Sequence, residues 1–287
     1  MQSYTYSDLE ADLSMLDIPY FSIGKSVGGK SIYAFVLGKG DKNVFFNGAH
    51  HGLEWLTSPV LMRFASNYIY ALKKDIRLSG FDISELYNRA KIHIVPMVNP
   101  DGIGIAAFGT TDPYLINMNR GNDFRKNWQS NARGVDLNHN YDAGFDLCRK
   151  EEYRLGITGP GPTRYGGEYP ESEPEVKAVC DYVRKNNFDL CIALHSQGEV
   201  IYYDYNGKTP KNSIEICREM CKVSGYVPDK AIGIASYGGF KDWFIKEFNK
   251  PAYTVEIGRG KNPLGGGQFE QIYDKVLPLL IISAFLC

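Results

Sequence analysis

Residues 43–54 read Asn43-Val44-Phe45-Phe46-Asn47-Gly48-Ala49-His50-His51-Gly52-Leu53-Glu54, and this stretch decides the fold. Its apolar first half predicts a strand over Asn43–Asn47, a glycine permits a turn, and an amphipathic helix is predicted over Glu54–Leu72. His51 and Glu54 are three residues apart, so on a helix their side chains would share one face. The two side chains could therefore converge on one metal ion.

A third candidate ligand, His195, lies far downstream, at the end of the apolar run Leu190–Leu194. Two histidine nitrogens and one carboxylate, two of them close in sequence and one remote, are the ligand set of a catalytic zinc ion that keeps one position open for water. We therefore expect His51, Glu54 and His195 to hold one Zn2+ ion. His50 competes for this role, but the H-x-x-E spacing selects His51, and His50 would then point away or support the ligands from behind.

Apolar runs that predict strands alternate with longer helical patterns along the rest of the chain. This alternation is typical of an α/β fold in which helices cover a mostly parallel or mixed sheet. Ligand sites in such sheets collect at the carboxyl ends of strands, where His51, His195 and Glu256 fall. The predicted strands are Ser31–Leu37, Asn43–Asn47, Lys91–Val98, Leu190–Leu194, Val200–Tyr203 and Ala252–Ile257. The predicted helices are Glu54–Leu72, Glu173–Lys185, Asn212–Ser224, Phe240–Asn249 and Gln268–Ala284.

Two local patterns complete the organisation. The stretch Ser172-Glu173-Pro174-Glu175 predicts a capping box, with Ser172 as the N-cap and Glu175 at the third helical position. Residues 102–167 are rich in glycine, asparagine, aspartate and proline and show weak periodicity, which predicts a long loop region. Loops of that length inside a compact domain are usually functional.

Composition excludes several functional classes. The 287 residues carry 32 basic and 33 acidic side chains, so no basic surplus points to nucleic acid or an anionic membrane as a partner. No run approaches the ~18 apolar residues of a transmembrane helix, and the first residues lack a signal-peptide pattern. If Met1 is the natural start, we expect a cytoplasmic protein. The six cysteines contain no C-x-x-C pair, and most of them read as small core residues in a reducing compartment.

Six blocks of sequence, in order and spread over nearly the whole chain, resemble the zinc metallocarboxypeptidases. The resemblance implies a three-layer α/β/α sandwich on a mixed, mostly eight-stranded twisted sheet. It also implies that residues 1–287 form a single zinc peptidase catalytic domain. The blocks are Gly48–Trp55, Asn99–Gly102, Arg125–Asn127, Gly134–Asn140, Ala193–Ser196 and Thr254–Glu256.

The resemblance assigns a chemical role to several residues. Zinc held by His51, Glu54 and His195 would lower the pKa of its bound water toward neutrality and polarise the scissile carbonyl group. Glu256 matches the family's catalytic glutamate, which takes a proton from the water and passes it to the leaving nitrogen. Arg125 matches the arginine that stabilises charge on the carbonyl oxygen, although other basic residues nearby compete for that role.

Substrate recognition departs from the digestive carboxypeptidases. Asn138 matches the asparagine that grips the substrate's terminal carboxylate, but His139 replaces the arginine that clamps this carboxylate with a bidentate fork. Lys241 falls where the pocket floor selects the substrate side chain, unless it is merely an exposed lysine at a helix start. Straight counting puts Ile234 at the position of the family's mobile tyrosine, and whether Tyr237 takes over that role stays open.

These departures resemble a bacterial branch of the family that cleaves the bond between γ-D-glutamate and meso-diaminopimelate, or another L-diamino acid, in cell-wall peptides. Diaminopimelate carries a second amino-acid head, which would give a lysine in the pocket a partner. The leading hypothesis is a zinc metallopeptidase whose partner is a small, murein-derived peptide. The alternatives are a general metallocarboxypeptidase that removes C-terminal residues, or a related amidase acting on a small acidic substrate. A purely binding domain would have no need for Glu256.

Overall fold

Residues 3–287 of the chain are described by a computed structural model. The strands are β1 Tyr20–Lys25, β2 Ser31–Leu37, β3 Lys42–Gly48, β4 Ala90–Val95, β5 Leu190–His195, β6 Val200–Tyr202, β7 Val227–Asp229 and β8 Ala252–Glu256. They form one eight-stranded sheet in the order β1-β2-β4-β3-β5-β8-β6-β7. Parallel pairing joins β4, β3, β5 and β8 in the centre, and antiparallel pairing joins β1, β2 and β6 to it. The predicted mixed sheet of the α/β class is confirmed.

Helices cover both faces of the sheet. Helices α1, α2, α3, α9 and α11 share one hydrophobic core with the sheet, and α8 and α10 share a second core on the opposite face. The helices are α1 Tyr6–Met15, α2 Thr57–Lys74, α3 Ile83–Arg89, α4 Pro100–Phe108, α5 Pro113–Met118, α6 Phe124–Asn127, α7 Phe145–Arg154, α8 Pro174–Asn186, α9 Ser213–Ser224, α10 Phe240–Phe248 and α11 Phe269–Phe285. None of them is long and apolar enough to cross a bilayer.

Strand β3 shows why the sheet lies between two cores. Val44 and Phe46 point into the first core, and Phe45 points into the second, because successive side chains of a strand face opposite ways. All three side chains are fully buried. Each such burial stabilises the fold by about 1.5–3 kcal/mol, so both cores hold this strand, and with it the turn that follows, in place.

The long region predicted as a loop contains several short helices, so that prediction was wrong in part. Helices α4 to α7 and a 3-10 turn at Leu137–His139 lie within or across it. The first three of these helices begin with a side chain that caps a free backbone N–H: Asn99, Asp112 and Asp123 accept from residues 102, 114 and 125. Short helices of this kind are marginal alone and depend on tertiary contacts, so they leave little periodicity in the sequence.

Two helix starts also differ from the prediction. Helix α2 begins at Thr57 instead of Glu54, so the H-x-x-E segment forms a turn ahead of the helix. Helix α8 has Glu173 as its N-cap residue, and the predicted capping box at Ser172 is wrong. The Glu175 carboxylate does not complete a capping box, because it accepts hydrogen bonds from the Val27 N–H at 3.0 Å and from Asn131 Nδ2 at 3.3 Å.

The six cysteines are all free, and Cys148, Cys180, Cys191 and Cys217 are buried. This agrees with their interpretation as small core residues.

Candidate functional site

The ends of three adjacent parallel strands, β3, β5 and β8, bring the candidate catalytic residues together. His195 and Glu256 are the last residues of β5 and β8 and pair with each other in the sheet register. His51 follows β3 by three residues, in the turn that leads to α2. The carboxyl ends of parallel strands meet at one edge of a sheet, and this geometry makes a site from residues that are distant in sequence.

His51, Glu54 and His195 form the three-residue cluster in residues 3–287 that could hold a metal ion, with ligand atoms within 4.8 Å of one another. The Nδ1 atom of His51 lies 2.8 Å from Glu54 Oε1, and the Nδ1 atom of His195 lies 3.0 Å from Glu54 Oε2. Ligand atoms at about 2.0–2.1 Å from a tetrahedral zinc ion lie ~3.3 Å from one another. The spacing of the three side chains therefore suits zinc.

The turn that carries two of these ligands depends on a glycine. The Glu54 N–H donates to the His51 carbonyl at 3.1 Å, which closes the turn. A Cβ atom on Gly52 would lie 2.5 Å from the Gly102 carbonyl oxygen and 2.6 Å from that of Trp128. Because both neighbours are backbone atoms, only glycine fits at this position. The approach of these two loops fixes where His51 and Glu54 point.

Asp136 supports the cluster, although we assigned it no role from the sequence. Its Oδ1 atom accepts a hydrogen bond from His51 Nε2 at 3.0 Å, which directs the other ring nitrogen, Nδ1, toward Glu54. A carboxylate behind a metal-binding histidine fixes the orientation and tautomer of the ring. The signal was present, because Asp136 lies inside the block Gly134–Asn140 that carries the family resemblance.

Further contacts surround Glu54 and His195. The Ser196 N–H donates to Glu54 Oε2 at 3.2 Å, and Asn262 Nδ2 donates to Glu54 Oε1 at 3.4 Å. His50 is buried and its ring stacks on that of His195, with centroids 5.2 Å apart. Its Nε2 atom lies 2.9 Å from the Tyr141 hydroxyl, so His50 packs behind the cluster and does not join it.

Two carboxyl groups in the site have opposite pKa shifts. Burial alone would raise the pKa of Glu54, but the charges of His51 and His195 outweigh it and lower this pKa to about 2. Burial, reinforced by the negative charge of Glu54, holds the pKa of Glu256 well above its usual range. For His51, burial opposes protonation, yet Glu54 and Asp136 raise its pKa well above the usual range. Such a divergent pair separates a carboxylate that is charged at neutral pH from one that can exchange a proton.

Arg125 and Asn138 lie on short elements beside the cluster. Arg125 is exposed on α6 and lines a cavity of about 410 Å³ together with Gly52, Leu53 and Pro263. The Oδ1 atom of Asn138 accepts from the Phe240 N–H at 3.0 Å. Its Nδ2 amino group has no hydrogen-bond partner within residues 3–287, so it is available to donate.

The remaining predicted substrate-binding residues have other contacts. His139 is buried, and its Nδ1 atom donates to the Arg164 carbonyl at 3.2 Å. Lys241 is only 3% exposed, which makes the alternative of an exposed helix-start lysine wrong. Its ammonium group donates to the Asp204 carbonyl at 2.6 Å and pairs with the Asp242 carboxylate. Tyr237 is half-buried, with its ring close to Gly144.

Comparison with known proteins agrees with this geometry. The profile of the zinc carboxypeptidase family matches residues 17–277. The chain is similar to the gamma-D-glutamyl-L-diamino acid endopeptidase 1 of Lysinibacillus sphaericus, with 36% identity over 295 residues that cover 99% of this chain and 73% of that protein.

Two solved structures share the fold. Bovine thrombin-activatable fibrinolysis inhibitor, in complex with tick carboxypeptidase inhibitor, superposes with a TM-score of 0.74 at 22% identity and covers 99% of this chain and 97% of that one. Murein-tripeptide amidase MpaA from Escherichia coli O157 superposes with a TM-score of 0.60 at 18% identity and covers 94% of each chain. At these identities the two structures speak for the fold alone.

Proposed function

The chain belongs to the zinc carboxypeptidase family and is a zinc metallopeptidase, and from this premise we propose that it hydrolyses the amide bond between a γ-D-glutamyl residue and a diamino acid in murein peptides. We put meso-diaminopimelate first among the diamino acids. The relative that is 36% identical over 99% of this chain is named for this type of bond. We take residues 1–287 as one catalytic domain.

The observation that carries the proposal is the convergence of His51, Glu54 and His195 beside Glu256 at one edge of the sheet. This donor set suits zinc, because two imidazole nitrogens and one carboxylate lie within 4.8 Å of one another and Asp136 orients the His51 ring from behind. When bound, zinc supplies a Lewis acid for the scissile carbonyl group and lowers the pKa of water toward neutrality.

Glu256 is the proposed general base. Its carboxylate would take a proton from the attacking water and later pass it to the leaving nitrogen of the diamino acid. A raised pKa suits a carboxylate that must bind a proton during the reaction, and the partial exposure of Glu256 gives water access to it. The neighbouring His195 keeps this carboxyl group next to the ligand cluster through the register of β5 and β8.

The groups around the cluster would bind the substrate and stabilise its charge. Arg125 would donate to the carbonyl oxygen as negative charge develops there. Asn138 would donate its free amide nitrogen to a substrate carboxylate. Tyr237 would contact the substrate from its half-buried position, and Lys241 would lie at the pocket floor, where the Asp242 carboxylate balances its charge. His139 would contact the substrate without the bidentate fork that an arginine offers.

The direct test is mass spectrometry of L-Ala-γ-D-Glu-meso-diaminopimelate incubated with the zinc-loaded protein. The expected products are L-Ala-D-Glu and free diaminopimelate, with none formed by the Glu256→Gln variant. Release of ordinary C-terminal residues from α-linked peptides, with the γ-linked bond left intact, would replace this proposal with a general metallocarboxypeptidase. An acidic non-peptide amide cleaved in preference to the tripeptide would favour the amidase alternative.

A further inference from the structure

We call the candidate ligands and base, His51, Glu54, His195 and Glu256, the zinc-ligand side of the site, and the predicted binding residues Asn138, His139 and Lys241 its substrate side. Arg164 joins the two sides through both of its peptide groups. Its N–H donates to Asp136 Oδ2 at 2.9 Å, and the other oxygen of Asp136 accepts from the candidate zinc ligand His51. The carbonyl group of Arg164 accepts from His139 Nδ1 at 3.2 Å. His139 occupies the position where the digestive enzymes carry an arginine clamp, so here that position holds the backbone of a different arginine.

The backbone of Arg164 is in the left-handed region, with a φ angle of 68°. This conformation costs a non-glycine residue roughly 1 kcal/mol or more, and asparagine or glycine adopts it more easily. Strained residues persist where the surrounding contacts over-determine them, and such residues cluster at ligand-binding sites. The hydrogen bond that the Arg164 N–H donates to Asp136 and the one that its carbonyl accepts from His139 are contacts of this kind.

The guanidinium group of Arg164 is free to bind an anion. Its side chain is exposed, and no carboxylate within residues 3–287 forms a salt bridge with it. Arg164 lines a cavity of about 610 Å³ whose walls include Arg120 and Thr163 but no aspartate or glutamate. Two arginines, and no acidic side chain in the lining, make this cavity attractive to a carboxylate.

One wall of the cavity is tied by backbone hydrogen bonds to the turn that carries His51 and Glu54. The Gln129 N–H donates to the Pro162 carbonyl at 2.7 Å, two residues before Arg164, and the Gly52 N–H donates to the Gln129 carbonyl at 2.9 Å. The wall that carries Arg164 is therefore held against the turn of His51 and Glu54 from one side and against Asp136 from the other. The Arg164 N–H and the His51 ring bind the two oxygens of one carboxylate, that of Asp136, so the Arg164 backbone lies one side chain away from the ligand cluster.

We infer that Arg164 is a specificity-determining residue that binds the terminal carboxylate of the leaving diamino acid. The Arg164 guanidinium would supply the bidentate cation that His139 cannot provide. His139 would position Arg164 by its hydrogen bond to the Arg164 carbonyl group. This inference rests on the proposed function, because it assumes a γ-D-glutamyl-diamino acid substrate.

The test compares L-Ala-γ-D-Glu-L-Lys with the same peptide ending in lysinamide. Lysine has no second carboxylate, so the two substrates differ only in the terminal one. The variant is Arg164→Asn, because asparagine tolerates the left-handed conformation and keeps the contacts to Asp136 and His139. Arg164→Lys keeps the charge without the fork. Arg218→Ala, which removes an exposed arginine from the distant helix α9, is the matched control.

For the free acid, Arg164→Asn is expected to lower kcat/KM about 10- to 100-fold, mainly through KM, while the amide changes less than about twofold. Arg164→Lys should recover part of the loss, and Arg218→Ala should match the wild type. Equal losses on both substrates, or no loss on either, would overturn the inference.

Calorimetric titration gives a readout that does not need turnover. The zinc-loaded Glu256→Gln protein should bind the free acid more tightly than the amide, and adding Arg164→Asn should remove this preference. Equal binding of acid and amide while Arg164 is present would overturn the inference, even if the peptide is cleaved. Preferential binding of the acid without any cleavage by the wild type would support the inference and contradict the proposed function instead.

Discussion

The zinc-ligand side and the substrate side of the site are built in different ways. His195 and Glu256 end central strands, and His51 and Glu54 lie in a turn held between two loops. The substrate side consists of a 3-10 turn, short helices and loops. Most of the polar groups of its predicted residues form hydrogen bonds or ion pairs with other residues of the protein. His139 holds Arg164, and Lys241 holds Asp242.

This difference separates chemistry from specificity. Sheet-anchored residues are held by two hydrophobic cores, so the geometry of the candidate metal site is rigid. Loop residues change with little cost to the fold, and His139, which the resemblance predicts to replace a clamp arginine, lies among them. We therefore expect variants on the two sides to lose different properties of the protein.

Glu256→Gln should have the largest effect on the zinc-ligand side. The variant removes the proposed base, so kcat/KM for the γ-D-glutamyl peptide is expected to fall about 10²- to 10⁴-fold. Bound zinc, measured by metal analysis after gel filtration, should be unchanged. Glu270→Gln on α11 is the exposed control and should retain full activity. Retained turnover in Glu256→Gln would remove this residue from the mechanism.

Lys241→Ala should lower the free energy of unfolding, because the variant leaves the Asp242 carboxylate buried without its partner. Breaking a buried ion pair in this way costs about 3–5 kcal/mol, whereas the double variant Lys241→Met/Asp242→Leu should cost less. Urea unfolding measures both. Under conditions where Lys241→Ala is folded, its loss of activity should be greater with diaminopimelate than with lysine as the leaving residue. Equal losses on the two substrates would take Lys241 out of the specificity pocket.

Glu175, which supports the substrate-side loops through Asn131, should make stability depend on pH. Burial raises its pKa to about 7 from the usual 4.5, so the folded state holds this proton more strongly than the unfolded state. Its stabilising effect is complete below about pH 4.5 and is lost as pH rises through 7. The difference corresponds to about 3 kcal/mol.

Glu175→Gln should therefore unfold with a free energy that depends less on pH than that of the wild type. Unfolding free energies measured at several pH values between 4 and 8 give the difference between the two proteins, which should grow in favour of the variant as pH rises. A constant difference would show that Glu175 titrates normally.

Asp136→Asn should have the smallest of these effects and act on zinc affinity. The variant weakens the hydrogen bond that orients the His51 ring, and losing such a contact typically lowers metal affinity 10- to 100-fold. Competition with a chromogenic chelator measures the affinity directly. Unchanged affinity with lower activity would move Asp136 from the zinc-ligand side to the substrate side, through its contact with Arg164.

Central strands were predicted well and edge strands were missed. The apolar run of Ser31–Leu37 predicted β2 residue for residue, because a strand between others needs a buried side-chain pattern. Strands β1 and β7 lie at the two edges of the sheet and expose much of their surface, and β7 contains Pro228. Because the residues of these edge strands are mostly exposed, they form no hydrophobic pattern from which the strands could be predicted.

The sequence by itself predicted which residues form the candidate metal site. His195 and Glu256 end apolar runs, and parallel strands align their carboxyl ends, whereas His51 and Glu54 meet them from a turn and not from the predicted helix. Only the tertiary structure decided how the substrate side is arranged. Asp136, His139 and Arg164 meet through backbone hydrogen bonds between loops, and such contacts leave no periodicity in the sequence from which they could be predicted.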